Sequence, residues 1–210
     1  MTIPVELFVI VLAYLLGAIP FSYLLAKLVG GVDIRTVGSG NVGATNLARS
    51  LGVGKGIFGL ALDAGKGAAA VLLARRIGAG VDAGPTLEAV AGGAAVLGHI
   101  YTPFLNFKGG KGVATGAGVF GVLAPTALLA AVVVFVLGTA LSRMVSLGSV
   151  LGAVTLPVAT HVLGGVPAVR LTALFVALLV VARHRANLRR IARGTESRLG
   201  TGPGGEGRSR

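Results

Sequence analysis

The sequence contains no cysteine, which excludes a disulfide framework, a thiolate metal site and a thiol nucleophile. Because cysteine is absent, its usage leaves the redox compartment open. Charged side chains are also scarce, at 12% of residues, about half of the usual share in a soluble domain. Hydrophobic residues make up 54% of the chain, and the mean hydropathy is +0.87. In a chain of 210 residues, this composition predicts one polytopic membrane domain without a soluble domain beside it.

Long apolar runs predict an all-α integral membrane protein with about seven transmembrane helices. The expected spans are residues 7–26, 56–74, 85–104, 113–122, 126–141, 146–163 and 166–182. The fourth is short, because a helix of its length rises about 15 Å while the hydrocarbon core is about 30 Å thick, and we expect it to break near Pro125. The first follows Glu6 and lacks a preceding positive segment, so it is interpreted as a retained span and not as a signal peptide.

Lysines and arginines are distributed unequally among the predicted connections. Fifteen fall in the first, third and fifth connections and after residue 182, and three fall on the opposite side. The positive-inside rule then places the fifteen in the cytoplasm, with the N-terminus outside and the C-terminus inside. This topology explains the net charge of +12, and no nucleic-acid partner is expected. Residues 1–196 are predicted to form the membrane domain and residues 197–210 a disordered basic tail.

Residues 38–46, GSGNVGATN, form a polar stretch between two apolar runs, flanked by Arg35 and Arg49. Glycines allow backbone N–H groups to converge on an anion, and an arginine can bind the same oxygens. The alternative is an ordinary flexible loop. The glycine spacing also fits the G-x-G-x-x-G dinucleotide fingerprint. That motif requires a strand and a helix on its two sides, whereas membrane-length apolar runs flank it here.

A second stretch, FKGGKG at residues 107–112, runs directly into a predicted helix start that contains Thr115. Glycine N–H groups, the positive end of a helix and two lysines together favour a phosphate ligand. The stretch is not a Walker A loop, because G-x-x-x-x-G-K-[ST] is absent. The alternative is a pair of positive-inside lysines between turn glycines. The candidate phosphate ligands are Lys108, Gly109, Gly110, Lys111 and Gly112.

A third stretch, RHRANLRR, begins at Arg183. At helical spacing Arg183, Asn187 and Arg190 share one stripe, and His184 lies one turn from Asn187. Arginines are common at the cytoplasmic end of a last span, but a histidine and an asparagine in the same turn favour a site. Glu196 is expected to hold this segment in place and not to act as a base.

Ionisable residues inside the predicted spans are few. Asp63 and Lys66 are three residues apart, and such groups in a membrane usually pair and face the protein interior, so a structural ion pair is expected. His99 lies near the end of the third span. It is interpreted either as a base or as a core histidine with a polar partner.

Together these stretches resemble the bacterial membrane acyl-phosphate:glycerol-3-phosphate acyltransferases, the PlsY family. The resemblance covers most of the chain, with the motifs in the family's order and spacing. It is carried by the approach from Gly17 to Phe21 and by GSGNVGATNLARSLG, LDAGKG, GHIYTPFLNFKGGKGVAT, VSLGS and RHRANLRRIARGTE. Leu188, where isoleucine is common, and the long basic tail are the main departures.

The resemblance implies transfer of an acyl chain from acyl phosphate to glycerol 3-phosphate, which yields lysophosphatidic acid and inorganic phosphate in the first step of phospholipid synthesis. It also implies a site at the cytoplasmic face of the plasma (inner) membrane, with no cofactor and no metal. The oligomeric state is left open. The implied catalytic residues are Ser39, Arg49, Lys111, His184 and Asn187. The implied binding residues include Asn41, Asn46 and Ser146 together with the glycine-rich stretch, and Glu196 is implied to be structural.

The charges of the chain fit this chemistry independently. Two phosphorylated substrates carry roughly three to four negative charges, which Arg49, Lys108, Lys111 and Arg183 can neutralise. No Ser-His-Asp constellation or H-x-x-x-x-D motif is present, so positioning and charge stabilisation are expected to do most of the work. The proton acceptor stays open between His184, His99 and a substrate phosphate. The alternative functions are an organic-phosphate transporter, which should show an inverted repeat, and a membrane scaffold.

Overall fold

The computed structural model describes residues 4–79 and 84–200, and this part of the chain is helical. Its helices are α1 (Val5–Ala18), α2 (Phe21–Gly30), α3 (Ala44–Leu51), α4 (Val53–Gly78), α5 (Gly84–Ile100), α6 (Val113–Leu123), α7 (Pro125–Ser142), α8 (Val145–Val162), α9 (Pro167–Arg183) and α10 (Arg185–Ala192), with a 3-10 turn at Pro103–Leu105. Residues 201–210 of the predicted tail lie outside the described residues.

Apolar length identifies the helices that can cross a membrane. Within the described ranges, four segments are long and apolar enough: Val5–Gly30, which joins α1 and α2, and the helices α4, α7 and α8. A fifth is added when α9 and α10, bent by 56°, are taken as one span. The prediction of an all-α membrane protein is therefore confirmed. Helix α6 is short, as expected, with 11 residues from Val113 to Leu123.

The first predicted span is built from two helices instead of one. Helix α1 ends at Ala18 and α2 begins at Phe21, because Pro20 lacks an N–H group and disfavours helical geometry in the residue before it. Lys66 Nζ of α4 donates to the carbonyl oxygen of Ile19 at this break, over 2.6 Å. A lysine from a neighbouring helix thus satisfies backbone that the proline takes out of the helix.

Helix α5 lies at the centre of the bundle, where α1, α4, α6 and α9 pack around it. Small residues permit this packing: a Cβ at Gly98 would overlap Tyr14 O of α1, and one at Gly17 would overlap Ala95 O of α5. Lipid gives helices little hydrophobic reason to associate, so close backbone contact provides much of the attraction. The abundant glycines therefore hold the helices together as well as shaping loops.

Helix α5 ends at Ile100, four residues before the predicted boundary. The residue before a proline avoids helical geometry, and here Thr102 precedes Pro103. Thr102 Oγ1 instead accepts a hydrogen bond from the Phe104 N–H at 3.3 Å and caps the 3-10 turn. This early end leaves residues 101–112 free to form the connection that carries the glycine-rich stretch.

Candidate active site

Four connections meet at one end of the bundle. Leu105, after α5, packs into a buried cluster with Ile34, Val42 and Leu47 from the connection before α4. Lys111 is hydrogen-bonded to Asn187 of α10, and Arg143, after α7, is hydrogen-bonded to Leu199. The three polar stretches recognised in the sequence therefore lie on the same side of the protein.

The GSGNVGATN loop is organised around Asn46, which is 2% exposed. Its Nδ2 donates to the carbonyl oxygens of Ile34, Val37 and Asn41, each at 3.0 Å, and its Oδ1 accepts from the Ser39 N–H at 2.9 Å. A Cβ at Gly38, where φ is 59°, would overlap Asn46 Oδ1. The amide predicted to bind substrate is thus engaged with the backbone of its own loop.

The remaining polar residues of this loop point to different roles. Asn41 Oδ1 accepts from the Gly43 N–H at 2.9 Å and so shapes the approach to α3. Arg35 pairs with Asp33 at 2.6 Å, so its charge is already partly neutralised. Ser39 and Arg49 are exposed. Of the two flanking arginines, Arg49 is therefore the one that offers its charge to a ligand.

The glycine-rich stretch packs tightly on the end of α5. The Gly109 and Gly110 N–H groups donate to Ile100 O at 2.9 Å and to His99 O at 3.1 Å. A Cβ on either glycine would overlap an atom of His99. These two N–H groups are therefore used within the protein and do not form the open anion nest that the sequence suggested. Lys108 is exposed beside them.

Two buried polar atoms near the start of α6 have no hydrogen-bond partner among the described residues. Gly112, with φ at 86°, precedes the first turn of α6. Thr115 in that turn is fully buried, and its hydroxyl has no hydrogen-bond partner among residues 4–79 and 84–200. Arg183 Nη2 donates to Gly109 O at 3.2 Å, its guanidinium lies 5.9 Å from the centre of the Tyr101 ring, and its buried Nε has no partner in the same ranges.

A chain of hydrogen bonds links the connection before α6, the first turn of α8 and the segment from α10 onward. We call it the loop cluster, and its members are Lys111, Ser146, Asn187, Arg190 and Glu196. Lys111 Nζ donates to Asn187 Oδ1 at 2.6 Å, and Asn187 Nδ2 donates to Glu196 Oε1 at 2.6 Å. Ser146 Oγ and Arg190 Nε donate to the same carboxylate, each at 2.7 Å. The structure thus brings Lys111 and Ser146, which lie far from each other and from the C-terminal segment in the sequence, together with Asn187 and Glu196.

The charges around the loop cluster are unbalanced in favour of cations. Burial lowers the pKa of Lys111 to about 8, and the positive charges of Arg190, Arg49 and Arg183 act in the same direction against the opposing effect of Glu196. Although burial raises the pKa of Glu196, hydrogen bonds from Asn187, Ser146 and Arg190 hold it below its ordinary value. A site with this excess of positive charge is suited to an anion.

His184 is buried at the junction of α9 and α10, with 2% exposure. Its Nδ1 lies 2.8 Å from the carbonyl oxygen of Val180. A carbonyl only accepts, so Nδ1 must carry a hydrogen, which leaves Nε2 as the acceptor in the neutral ring.

A second polar group lies within the helices, and we call it the intramembrane cluster: Ser22, Asp63, Lys66 and His99. Asp63 and Lys66 form an ion pair at 2.8 Å, and their side chains are 2% and 1% exposed. Ser22 Oγ donates to Asp63 Oδ2 at 2.9 Å, and His99 Nδ1 lies 3.7 Å from Asp63 Oδ1. The glycine-rich stretch covers His99 from the loop side, since a Cβ at Gly110 would overlap its Nε2.

Sequence reasoning missed the contributions of Ser22 and Arg143. Ser22 follows the proline that breaks the first span, and a polar residue at such a break was the available signal. The sequence analysis counted Arg143 only as one of the positive charges that set the membrane orientation.

Among the described residues no group of three His, Asp or Glu side chains is arranged to hold a metal ion.

Comparison with known proteins identifies the family. The model of the glycerol-3-phosphate acyltransferase family matches residues 7–194. A relative named glycerol-3-phosphate acyltransferase from Desulforudis audaxviator (strain MP104C) is 47% identical over 91% of this chain and 94% of its own length. Another of that name, from Geobacter sulfurreducens, is 46% identical over 92% of this chain and 97% of its own.

Solved structures agree with the sequence relatives. The glycerol 3-phosphate form of PlsY (YgiH), an integral membrane glycerol 3-phosphate acyltransferase, is similar with a TM-score of 0.87 at 40% identity, covering 93% of this chain and 96% of that one. Its lysophosphatidic acid form gives a TM-score of 0.85 at 39% identity. Because the family model, the relatives and the fold agree over nearly the whole chain, this protein belongs to the glycerol-3-phosphate acyltransferase family and is an integral membrane acyltransferase.

Proposed function

We propose that the protein transfers an acyl chain from an acyl phosphate to the 1-hydroxyl of glycerol 3-phosphate, giving lysophosphatidic acid and inorganic phosphate in phospholipid synthesis. The carbon–oxygen bond to glycerol forms as the bond between the acyl carbon and the phosphate oxygen breaks. The proton of the hydroxyl passes to the departing phosphate. Family membership supports the acceptor, and the excess of positive charge at the site supports two phosphorylated substrates.

The observation that carries this proposal is the charge balance of the loop cluster. Arg190, Arg49 and Arg183 all act electrostatically on Lys111, and the carboxylate of Glu196 opposes them. That carboxylate already accepts three hydrogen bonds. The surplus cations supply donors that two phosphate groups require. Within residues 4–79 and 84–200, the Thr115 hydroxyl and the Arg183 Nε are also without a hydrogen-bond partner.

The roles follow from these positions. Lys111 and Arg49 bind phosphate oxygens, Asn187 orients Lys111, and Ser39 lies on the loop that brings Arg49 to the site. An acyl phosphate is already activated, so placing the glycerol hydroxyl against the carbonyl and stabilising the oxyanion supply most of the rate enhancement. Glu196 is a poor base because its low pKa and its three donors favour the carboxylate. Asn46 has the role of holding the GSGNVGATN loop in its conformation through hydrogen bonds to the backbone.

Reconstituted wild-type protein tests the donor. Radiolabelled glycerol 3-phosphate is supplied with palmitoyl phosphate, and separately with acyl-CoA or acyl carrier protein carrying the same chain. We expect lipid product with palmitoyl phosphate alone. Product with either thioester at an equal rate would contradict the proposed donor, and uptake into sealed vesicles without product would favour a transporter.

We also propose seven spans, with the site on the cytoplasmic face and the N-terminus outside. The connections that carry the site also carry most of the lysines and arginines, which supports this orientation. Because the chain has no cysteine, single-cysteine variants give a clean test. Arg76→Cys should react with an impermeant maleimide in intact cells, whereas Lys55→Cys should react only after permeabilisation. The reverse pattern would overturn the orientation.

A further inference from the structure

The end of α7 and the first turn of α8 hold the C-terminal segment at two points. We call residues 196–200 the terminal strap. The Leu199 N–H donates to Arg143 O at 2.7 Å, and Arg143 Nη2 donates to Leu199 O at 2.8 Å. Three residues along, Ser146 donates to Glu196. The residue numbers rise from Arg143 to Ser146 while those of their partners fall from Leu199 to Glu196, so the two segments run antiparallel. The two pairs together fix the register of the strap.

Arg143 occupies an unusual backbone position for its residue type. It ends α7 with φ at 62°, a conformation that glycine adopts readily and side chains rarely do. Glycine is also the common residue at this position of a helix end. An arginine here indicates that its side chain is needed, and the described contact of that side chain is with the carbonyl oxygen of Leu199 in the strap.

The strap anchors the Asn187 amide from the side opposite Lys111. A carboxylate only accepts hydrogen bonds and an ammonium only donates them. With Glu196 on one side, Asn187 must turn Nδ2 toward it, and Oδ1 then faces Lys111. Without Glu196 in register, Asn187 Nδ2 loses its acceptor, and the amide is no longer held in place beside Lys111.

We infer that Arg143 is a positioning residue of the acyltransferase site, because it fixes the register of the terminal strap and thereby places Glu196, Asn187 and Lys111. Arg143 itself does not contact the reacting groups. The inference rests on the proposed roles of Lys111 and Asn187. Arg143 thereby acts on Lys111 indirectly, through the strap and the hydrogen bonds of Glu196 and Asn187.

Arg143→Met and Arg143→Lys form a matched pair. Both keep a long side chain at the same positive φ, but only lysine can donate to Leu199 O. We expect kcat/KM for glycerol 3-phosphate to fall about tenfold in Arg143→Met. Arg143→Lys should stay within about threefold of wild type. Leu199→Pro removes the N–H that donates to Arg143 O. The kcat/KM of the double variant Arg143→Met/Leu199→Pro should be no lower than that of the less active single variant.

A pH profile separates positioning from general destabilisation. Charged and titratable groups face Lys111 from α3, from the end of α9, from α10 and from the strap: Arg49, Arg183, His184, Arg190 and Glu196. Glu196 alone in this set raises the pKa of Lys111. Displacing it should move the alkaline limb of kcat/KM to lower pH in Arg143→Met and leave it in place in Arg143→Lys.

The outcomes separate this inference from the function on which it rests. A tenfold loss confined to Arg143→Met, with the shifted limb, supports the inference. Equal activity of the methionine and lysine variants, or a loss without the shift, overturns it while the activity of the wild type stands. A wild-type protein that forms no product from any donor overturns the proposed function itself.

Discussion

The intramembrane cluster and the loop cluster are both built around one carboxylate, but their charges differ. In the first, Asp63 is matched by Lys66, which is 1% exposed and also donates to Ile19 O. In the second, Glu196 pairs with Arg190, and the nearby Lys111 also experiences the positive charges of Arg49 and Arg183. In a balanced, buried pair each charge neutralises the other, which suits a structural role. A surplus of cations at a helix end is suited to binding an anion.

The comparison predicts its largest effect for Lys66→Met. Removing the lysine takes the paired cation away from the buried Asp63 carboxylate, which should lower the free energy of unfolding by about 3–5 kcal/mol. Unfolding in mixed micelles titrated with SDS measures it. The double variant Asp63→Leu/Lys66→Met should recover part of the loss, because no lone charge is left. A single variant as stable as wild type would show that the pair is not structural.

Lys111→Met should affect activity and not stability. The loop cluster has cations to spare, so the fold should keep its free energy of unfolding within about 1 kcal/mol. The loss of a charged phosphate ligand should lower kcat/KM for glycerol 3-phosphate by about 100-fold to 1,000-fold. The matched control is Arg76→Met, which lies in the last turn of α4, away from the site, and should have wild-type kinetics. Wild-type kinetics in folded Lys111→Met would remove Lys111 from the site.

Asn46→Ala should have an intermediate effect on both properties. The Asn46 amide bonds to three carbonyl oxygens and one N–H in its loop, so its loss should lower kcat/KM about tenfold. Limited proteolysis within residues 31–43 should become faster. Asn41→Ala, which removes one side-chain hydrogen bond to Gly43, should show a smaller effect. Equal effects would mean that Asn46 does not organise the loop.

The smallest effect concerns pH. The Lys111 ammonium must be protonated to bind phosphate, and its pKa is about 8. The kcat/KM for glycerol 3-phosphate should therefore be flat at pH values well below 8 and fall as pH rises through that value. Lys111→Arg should lack this alkaline limb, because arginine stays charged across the range. An unchanged limb in Lys111→Arg would assign the titration to another group.

The helices could be predicted from sequence because lipid leaves few alternatives for an apolar run. The observed bounds of α6, α7, α8 and α9 differ from the predicted spans by only one residue at any end. The apolar runs did not predict the break at Pro20 or the early end of α5 before Pro103, although the backbone restrictions of proline account for both. Hydropathy reports how apolar a run is and not where backbone hydrogen bonds stop.

The sequence alone determined the membrane class, the polar stretches and the family, since composition and motif order are local properties of the chain. Tertiary structure decided how the polar groups are used. It turned the Gly109 and Gly110 N–H groups inward to α5, engaged Asn46 with its own loop and joined Lys111 to Asn187. Each of these depends on the partner that folding places within hydrogen-bonding distance, and no spacing along the chain specifies that partner.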